Sequence, residues 1–237
     1  MEARKNYGQF CALARALDRI GDRWTLLVMR ELLIAPKSFR ELQENLPGLS
    51  PNLLVRRLRT LIDDGLVLRN KAPVRSRSVI FQLSETGRDA EAAVLELIRW
   101  GARWMTTGPG ADRVDPAWSI LGVRAMLDGT PITPTTAHIV HVNIDSNWLT
   151  ISTHAGTRHV TAGRSGSPDA TVTTQLPTLL AVITGFTAFE TAEFEVNGEK
   201  NAAKTMLCPS AVTQETNTYT APMPTHYREH AAPPGWA

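Results

Sequence analysis

The chain has 237 residues, more than one average domain needs, so two domains are expected. Hydrophobic residues make up 43 % and charged residues 20 %, an ordinary globular balance in which each half can bury its own core. No apolar run of about 18 residues is present to span a membrane, and residues 1–10 lack an apolar signal region. The two cysteines, Cys11 and Cys208, form no CxxC pair, so a cytoplasmic protein with no disulfide framework, structural metal or cofactor is expected. The net charge of +2 hides an asymmetry: residues 1–105 carry 18 Lys and Arg against 12 Asp and Glu, and the remaining 132 carry 7 against 11. A basic first half implies a polyanion partner, and the acidic half behind it a different task.

In chain order, Phe10, Leu13, Leu17 and Ile20 recur at helical spacing and predict a helix over about 9–20, ended by Gly21. Asp22 is the expected N-cap of a second helix, Arg23 to Ile34, with Trp24, Leu27, Val28 and Leu32 on its apolar face. Pro36 stops it. Ser38 caps a third helix, Phe39 to Asn45, with Glu41 completing a capping box. After the Pro47-Gly48 turn, Ser50-Pro51 opens a fourth helix that ends at Gly65. A strand at Leu66–Arg69, an Arg-rich loop, a strand at Val79–Leu83 and a long Ser84-capped helix over about 85–105 complete the half. This order matches a helix-turn-helix with a wing.

A reading helix must pack one face on its own domain and offer polar groups to the major groove. On the fourth helix, Leu54, Leu58, Leu61 and Ile62 make the inner stripe, leaving Asn52, Val55, Arg56 and Arg59 for DNA. Arg pairs bidentately with guanine and Asn with adenine. Ser50 and Pro51 stand at the helix N-terminus, which favours a phosphate. Lys37, Ser38 and Arg40 surround the start of the third helix as expected backbone contacts. Arg69, Lys71, Arg75 and Arg77 make the loop a basic wing, with Arg75 and Arg77 as its DNA contacts.

The ordered motifs Leu17-Asp18-Arg19-Ile20-Gly21-Asp22-Arg23-Trp24-Thr25-Leu26-Leu27, Ser38-Phe39-Arg40-Glu41-Leu42, Leu46-Pro47-Gly48-Leu49-Ser50, Arg57-Leu58-Arg59-Thr60-Leu61, Asp64-Gly65-Leu66-Val67 and Leu83-Ser84-Glu85-Thr86-Gly87, with Trp100-Gly101, resemble the HxlR-type winged-helix regulators over about 7–105. The resemblance implies a homodimer, paired through the first and last helices of this half, on double-stranded DNA. The wing departs from it. Ala72-Pro73-Val74-Arg75-Ser76-Arg77-Ser78-Val79-Ile80-Phe81 stands where relatives often carry Pro-Pro-x-Val-Glu-Tyr. Cys11 occupies the family's N-terminal cysteine position, which senses oxidants or electrophiles in some relatives. A small buried residue at a helix interface is favoured for it here, with a redox role as the alternative. Ala90, Val94, Leu97, Gly101 and Trp104 recur at helical spacing and locally support dimerisation.

Residues 106–117 read as the linker, on the breaker cluster Thr106-Thr107-Gly108-Pro109-Gly110. Then come a helix at about 118–127, strands at 137–144, 147–153, 158–162 and 170–174, a helix at 176–184, a strand at 192–196 and a helix at 201–207. Residues 211–237 form a Pro-rich tail. Pro168-Asp169-Ala170-Thr171-Val172-Thr173, Leu179-Leu180-Ala181-Val182-Ile183-Thr184-Gly185 and Phe194-Glu195-Val196-Asn197-Gly198 are similar to the sterol-carrier-protein fold over about 118–210. That similarity implies a five-stranded sheet covered by helices, an α/β sandwich enclosing an apolar cavity. The whole chain is thus expected to be α+β: a winged helix-turn-helix domain (1–105) and a sterol-carrier-like ligand-binding domain (118–210). Leu176, Leu179, Leu180, Ile183, Phe186, Phe189 and Met206 are the candidate lining for a small apolar ligand, with a filled hydrophobic core the equal alternative.

His138/His141 and His226/His230 do not read as metal sites. Positions 138 and 141 face opposite sides of a strand, and the second pair lies in the Pro-rich tail. No nucleophile elbow or phosphate loop points to an enzyme, although the sterol-carrier-like fold also occurs beside catalytic domains. The expected activity is a repressor on a palindromic operator, released by an apolar effector. A redox sensor with a scaffold C-terminal half, or an enzyme, are the alternatives.

Overall fold

The computed structural model describes residues 6–71, 79–105, 112–113, 115–132 and 137–209. Helix α1 spans Ala12–Ile20. It starts later than its periodicity suggests because Cys11 is extended (φ −137°, ψ 131°), and Phe10 stands in solvent. Helix α2 spans Thr25–Ile34, and its N-cap position is held by Trp24 in the left-handed region (φ 76°) rather than by Asp22. Left-handed backbone costs a bulky residue about 1–3 kcal/mol and persists only where packing holds it; the Trp24 ring packs against the N-terminal core.

Lys37–Ser38 form a two-residue strand, β1, that the sequence pattern is too short to reveal. Helix α3 is Phe39–Asn45, with the capping box in place: Ser38 Oγ accepts from Glu41 N at 3.3 Å, and Ser38 N donates to Glu41 Oε2 at 2.6 Å. These bonds, with Lys37 nearby, hold the Glu41 carboxyl below its ordinary value. Helix α4 is Pro51–Asp63, capped by Ser50 Oγ on Leu53 N. Strands β2 (Val67–Lys71) and β3 (Val79–Leu83) pair antiparallel, and β1 joins the far edge of β3 through Lys37↔Phe81 and Ser38↔Ile80. The expected long helix is interrupted at Ala90, giving α5 (Glu85–Asp89) and α6 (Glu91–Gly101). Ser84 caps α5 and also donates to Gly65 O at 2.6 Å. The approach is so close that a Cβ on Gly87 would lie 2.1 Å from Leu66 O, so only glycine fits there.

After a 3-10 turn at Pro116–Trp118, helix α7 runs Ser119–Leu127. Strands β4 (Ile139–Ile144) and β5 (Asn147–His154) are joined by Asp145 and Ser146, both left-handed, as a tight two-residue hairpin requires. Then follow β6 (Thr157–Ala162), β7 (Ala170–Thr174), α8 (Leu176–Ile183), β8 (Glu195–Gly198) and α9 (Lys200–Leu207). Strand β8 begins three residues beyond its expected start, and the Ala192–Phe194 stretch lies outside it. Among the described residues the sheet order is β6-β5-β4-β7-β8, with β4 and β7 parallel and the other neighbours antiparallel.

Buried apolar side chains form two clusters, one around Val28, Met29, Leu42, Leu54 and Leu58 and one around Val123, Val142, Ile151, Leu179 and Met206. The clusters meet. Leu33 and Ile34 of α2 and Leu95 and Ile98 of α6 pack against the second core, and Arg124 of α7 pairs with Glu91 of α6. Arg158 is 2 % exposed and, among the described residues, donates to five neutral oxygens: Met206 O (2.9 Å), Thr130 Oγ1 (3.0 Å), Pro131 O (2.6 Å), Thr205 O (2.6 Å) and Cys208 O (3.0 Å). Four of these are backbone carbonyls at the end of α9 and in the strap after α7, so one guanidinium ties both to β6. Burial lowers the Arg158 pKa from its ordinary value. No helix among the described residues is long and apolar enough to cross a membrane.

Candidate nucleic-acid interface

Helix α4 separates its faces as the pattern requires. Leu54, Leu58 and Leu61 are buried, whereas Pro51, Asn52, Val55, Arg56 and Arg59 are exposed. Positions 52, 55, 56 and 59 fall on one face at 3.6 residues per turn, so they form a single outward row. The arginine between them behaves differently. Arg57 turns inward, pairs with Asp22 at the α1–α2 junction and donates from Nε to Arg23 O at 3.1 Å. It seats the reading helix, a role that sequence periodicity alone did not separate from that of its neighbours.

The flanking residues divide. Arg40 projects outward with its side chain 88 % exposed, in an i,i+4 pair with Glu44 at 2.8 Å. Ser38 and Ser50 spend their hydroxyls on helix caps. Lys37 departs from its expected surface role: its side chain is only 12 % exposed, and Nζ lies 3.8 Å from Glu31 Oε2. Arg69, Asn70 and Lys71 are exposed at the end of β2. Arg75 and Arg77 lie outside the described residues, as do His226 and His230.

Glu31 is the residue that sequence reading missed. It is a charged residue on a largely apolar helix, and its side chain is 1 % exposed. Arg30 Nη2 (2.7 Å) and Trp118 Nε1 (2.8 Å) donate to Oε1, and Asn45 Nδ2 (3.0 Å) donates to Oε2. Charged groups are buried only when so satisfied. The available signal was a lone Glu inside Leu27–Ile34, which three donor residues, from α2, α3 and the entry of α7, now explain.

In the C-terminal half, Leu179, Ile183, Phe189 and Met206 lie in the second core, and Leu176 packs on it half-buried. Leu180 is also half-buried. Phe186 does not join them: it is 83 % exposed, beyond the end of α8. His138 Nδ1 stands 3.6 Å from Asp169, and buried His141 meets Ser165 O at 3.1 Å, so the two have separate partners. Cys11 is exposed in the single chain, at the start of the helix expected to pair two copies. The Arg15 guanidinium is held by Asn6 and Asp18. Burial pushes the half-buried Cys208 thiol up.

Comparison with known proteins yields one family model, the HxlR-like helix-turn-helix, over residues 19–109. An uncharacterized HTH-type transcriptional regulator of Mycobacterium tuberculosis is 35 % identical over 99 residues, 42 % of this chain and 62 % of the relative. The chain thus spans less than two thirds of the length of that mycobacterial protein. HTH-type transcriptional regulator YodB of Bacillus subtilis is 31 % identical over 93 residues, 39 % of this chain and 83 % of YodB. Among solved structures, the reduced form of YodB has 30 % identity and a TM-score of 0.37, covering 42 % of this chain and 99 % of its own. The oxidized form of the redox regulator HypR has 30 % identity and a TM-score of 0.37, covering 39 % and 96 %. The family and these relatives are transcriptional regulators.

Proposed function

The chain belongs to the HxlR-like helix-turn-helix family, and from that membership we propose that it is a cytoplasmic repressor acting as a homodimer on a palindromic operator. The observation that carries this is the outward row Asn52, Val55, Arg56 and Arg59 on a helix whose other face is buried. Arg40, Lys71 and the wing arginines Arg75 and Arg77 add phosphate contacts around it. Two reading helices related by a two-fold axis double the bases read. The dimer forms through α1 and α6, and exposed apolar residues on and beside them support it: Leu13 and Leu17 of α1 with Phe10 just before it, and Leu97 and Trp100 of α6 with Trp104 in the 3-10 turn that follows.

Residues 118–210 are read as a sterol-carrier-like effector domain, supported by the five-stranded mixed sheet with helices packed on one face. An apolar effector would enter among Leu176, Leu179, Leu180, Ile183, Phe189 and Met206. It weakens DNA binding by favouring the DNA-incompetent state. The test is titration of the full chain against the DNA upstream of its own gene, beside a scrambled duplex at matched salt. Strong preference for the upstream DNA supports a specific regulator, and equal affinity for both overturns it.

One observation favours a second reading. The Cys11 thiol is exposed at the start of α1, and the relatives include the redox regulator HypR and quinone-bound YodB. In that reading Cys11 adds to a quinone: its Sγ forms the new S–C bond, the ring C=C π bond opens onto the conjugated carbonyl oxygen, and the thiol proton ends on that oxygen. Exposure to a quinone should then weaken operator binding in the native chain and leave Cys11→Ser unaffected.

A further inference from the structure

The segment that leads into the C-terminal half touches α3 by two routes. Arg113 Nη1 donates to Glu44 O at 2.7 Å, in the last turn of α3, while Nη2 holds Asp115 at 3.1 Å. Trp118 Nε1 donates to Glu31 Oε1 at 2.8 Å, and the other oxygen of that carboxylate accepts from Asn45, the last residue of α3, at 3.0 Å. The Trp118 ring is flanked by two guanidiniums, Arg30 at 4.0 Å and Arg113 at 5.9 Å from its centroid, a stacked arrangement that restrains the indole in the plane its N–H needs. Trp118 is also the N-cap residue of α7, whose Ile120, Leu121 and Val123 are built into the C-terminal core.

The far end of α3 bears Ser38 and Arg40, and the turn after it delivers Ser50 and α4. The C-terminal end of α3 is therefore held by groups belonging to α2 and to the entry of α7, while its other end and the next helix face the proposed DNA. We propose that Trp118, acting through Glu31, is a positioning residue for the DNA-reading helices. The C-terminal half thereby sets the orientation of α3 and α4. A displacement of α7 withdraws the indole N–H from a carboxylate that is 1 % exposed, and α3 must adjust. This inference rests on the proposed DNA-binding role for its consequence, though not for its geometry.

The test uses the full chain. Trp118→Phe keeps an aromatic face for Arg30 to stack on but removes the N–H. Arg113→Gln removes the second route at a partly exposed site and serves if the first variant folds poorly. Hydrogen exchange is followed in the peptide covering residues 39–45 and in the C-terminal core, beside operator affinity and its salt slope. The expected result is faster exchange in residues 39–45, unchanged protection of the β4–β5 hairpin, and operator affinity lowered about tenfold at an unchanged salt slope. In a double-mutant cycle with Glu31→Met, which leaves no side-chain oxygen to accept the indole N–H, the effect of Trp118→Phe should shrink toward zero, because the indole acts through that carboxylate. Wild-type exchange in residues 39–45, or an equal loss of protection everywhere, overturns the inference. Failure of the unmodified chain to prefer any operator would overturn the regulator role instead, and the exchange experiment would still decide the coupling.

Discussion

Arg57 reaches from the inner side of α4 to Asp22 at the junction of α1 and α2, so the reading helix is fastened through the middle one of its arginines rather than through either exposed neighbour. Stability and DNA affinity should therefore separate cleanly between Arg57 and Arg59. Arg57→Ala is expected to cost about 2 kcal/mol of stability, a value below that of a fully buried pair because Asp22 is partly exposed. Arg59→Ala should leave stability within about 0.5 kcal/mol and weaken specific operator binding by about 1–3 kcal/mol. Urea unfolding and operator titration of both variants check the split. Equal stabilities would mean that Arg57 does not seat α4.

The capping box of α3 makes a pH prediction. Ser38 holds the Glu41 carboxyl below its ordinary value of 4.5. A carboxyl depressed by folding contributes stability that is fully present above its unfolded pKa and disappears as pH falls through the folded one. Ser38→Ala should cost about 1 kcal/mol at neutral pH and flatten the acid side of the stability profile below pH 4.5. Chemical denaturation of the two proteins at a series of acid pH values would show it, and parallel curves would exclude the coupling.

Arg158 satisfies five oxygens from a single buried guanidinium. Arg158→Leu leaves those carbonyls dry and unpaired, and should destabilise the C-terminal half by at least about 3 kcal/mol. Arg158→Lys, a point donor without the planar fork, should recover only part of that. Thermal unfolding ranks the three proteins; a leucine variant as stable as the native chain would mean that the strap and α9 are held by something else.

The exposed Trp100 and Trp104 rings stack edge-on at 4.6 Å beside Leu97. If this face joins two copies, Leu97→Asp buries a charge in the seam and should convert a dimer to a monomer in sedimentation velocity, with operator affinity falling by at least about tenfold. A wild-type chain already monomeric at micromolar concentration would remove α6 from the proposed interface.

Local chemistry made much of the first half legible before any coordinates. Ser38 with Glu41 and Ser50 with Pro51 announce helix starts, and the 3.6-residue period of Leu54, Leu58 and Leu61 tells which side of α4 is buried. Such signals depend only on residues a few positions apart, so the chain order already contains them. The outward row Asn52, Val55, Arg56 and Arg59 followed from the same period. In the C-terminal half, alternation located β4 to β7 to within a residue or two at most of their ends.

What the tertiary structure decided depended on partners distant in sequence. Arg57 carries the same charge as Arg56 and Arg59, and only the position of Asp22, 35 residues away, turns it inward. Lys37 belongs to a two-residue strand whose pairing with β3 no period can show, and its ammonium goes to Glu31. Phe186 reads as one more apolar residue after α8, yet the chain leaves the core before reaching it. Glu31 itself depends on Trp118, 87 residues on. Periodicity assigns a residue to a face; which charged group on a buried face is tolerated depends on the donors that the fold brings to it, and those are chosen by long-range packing.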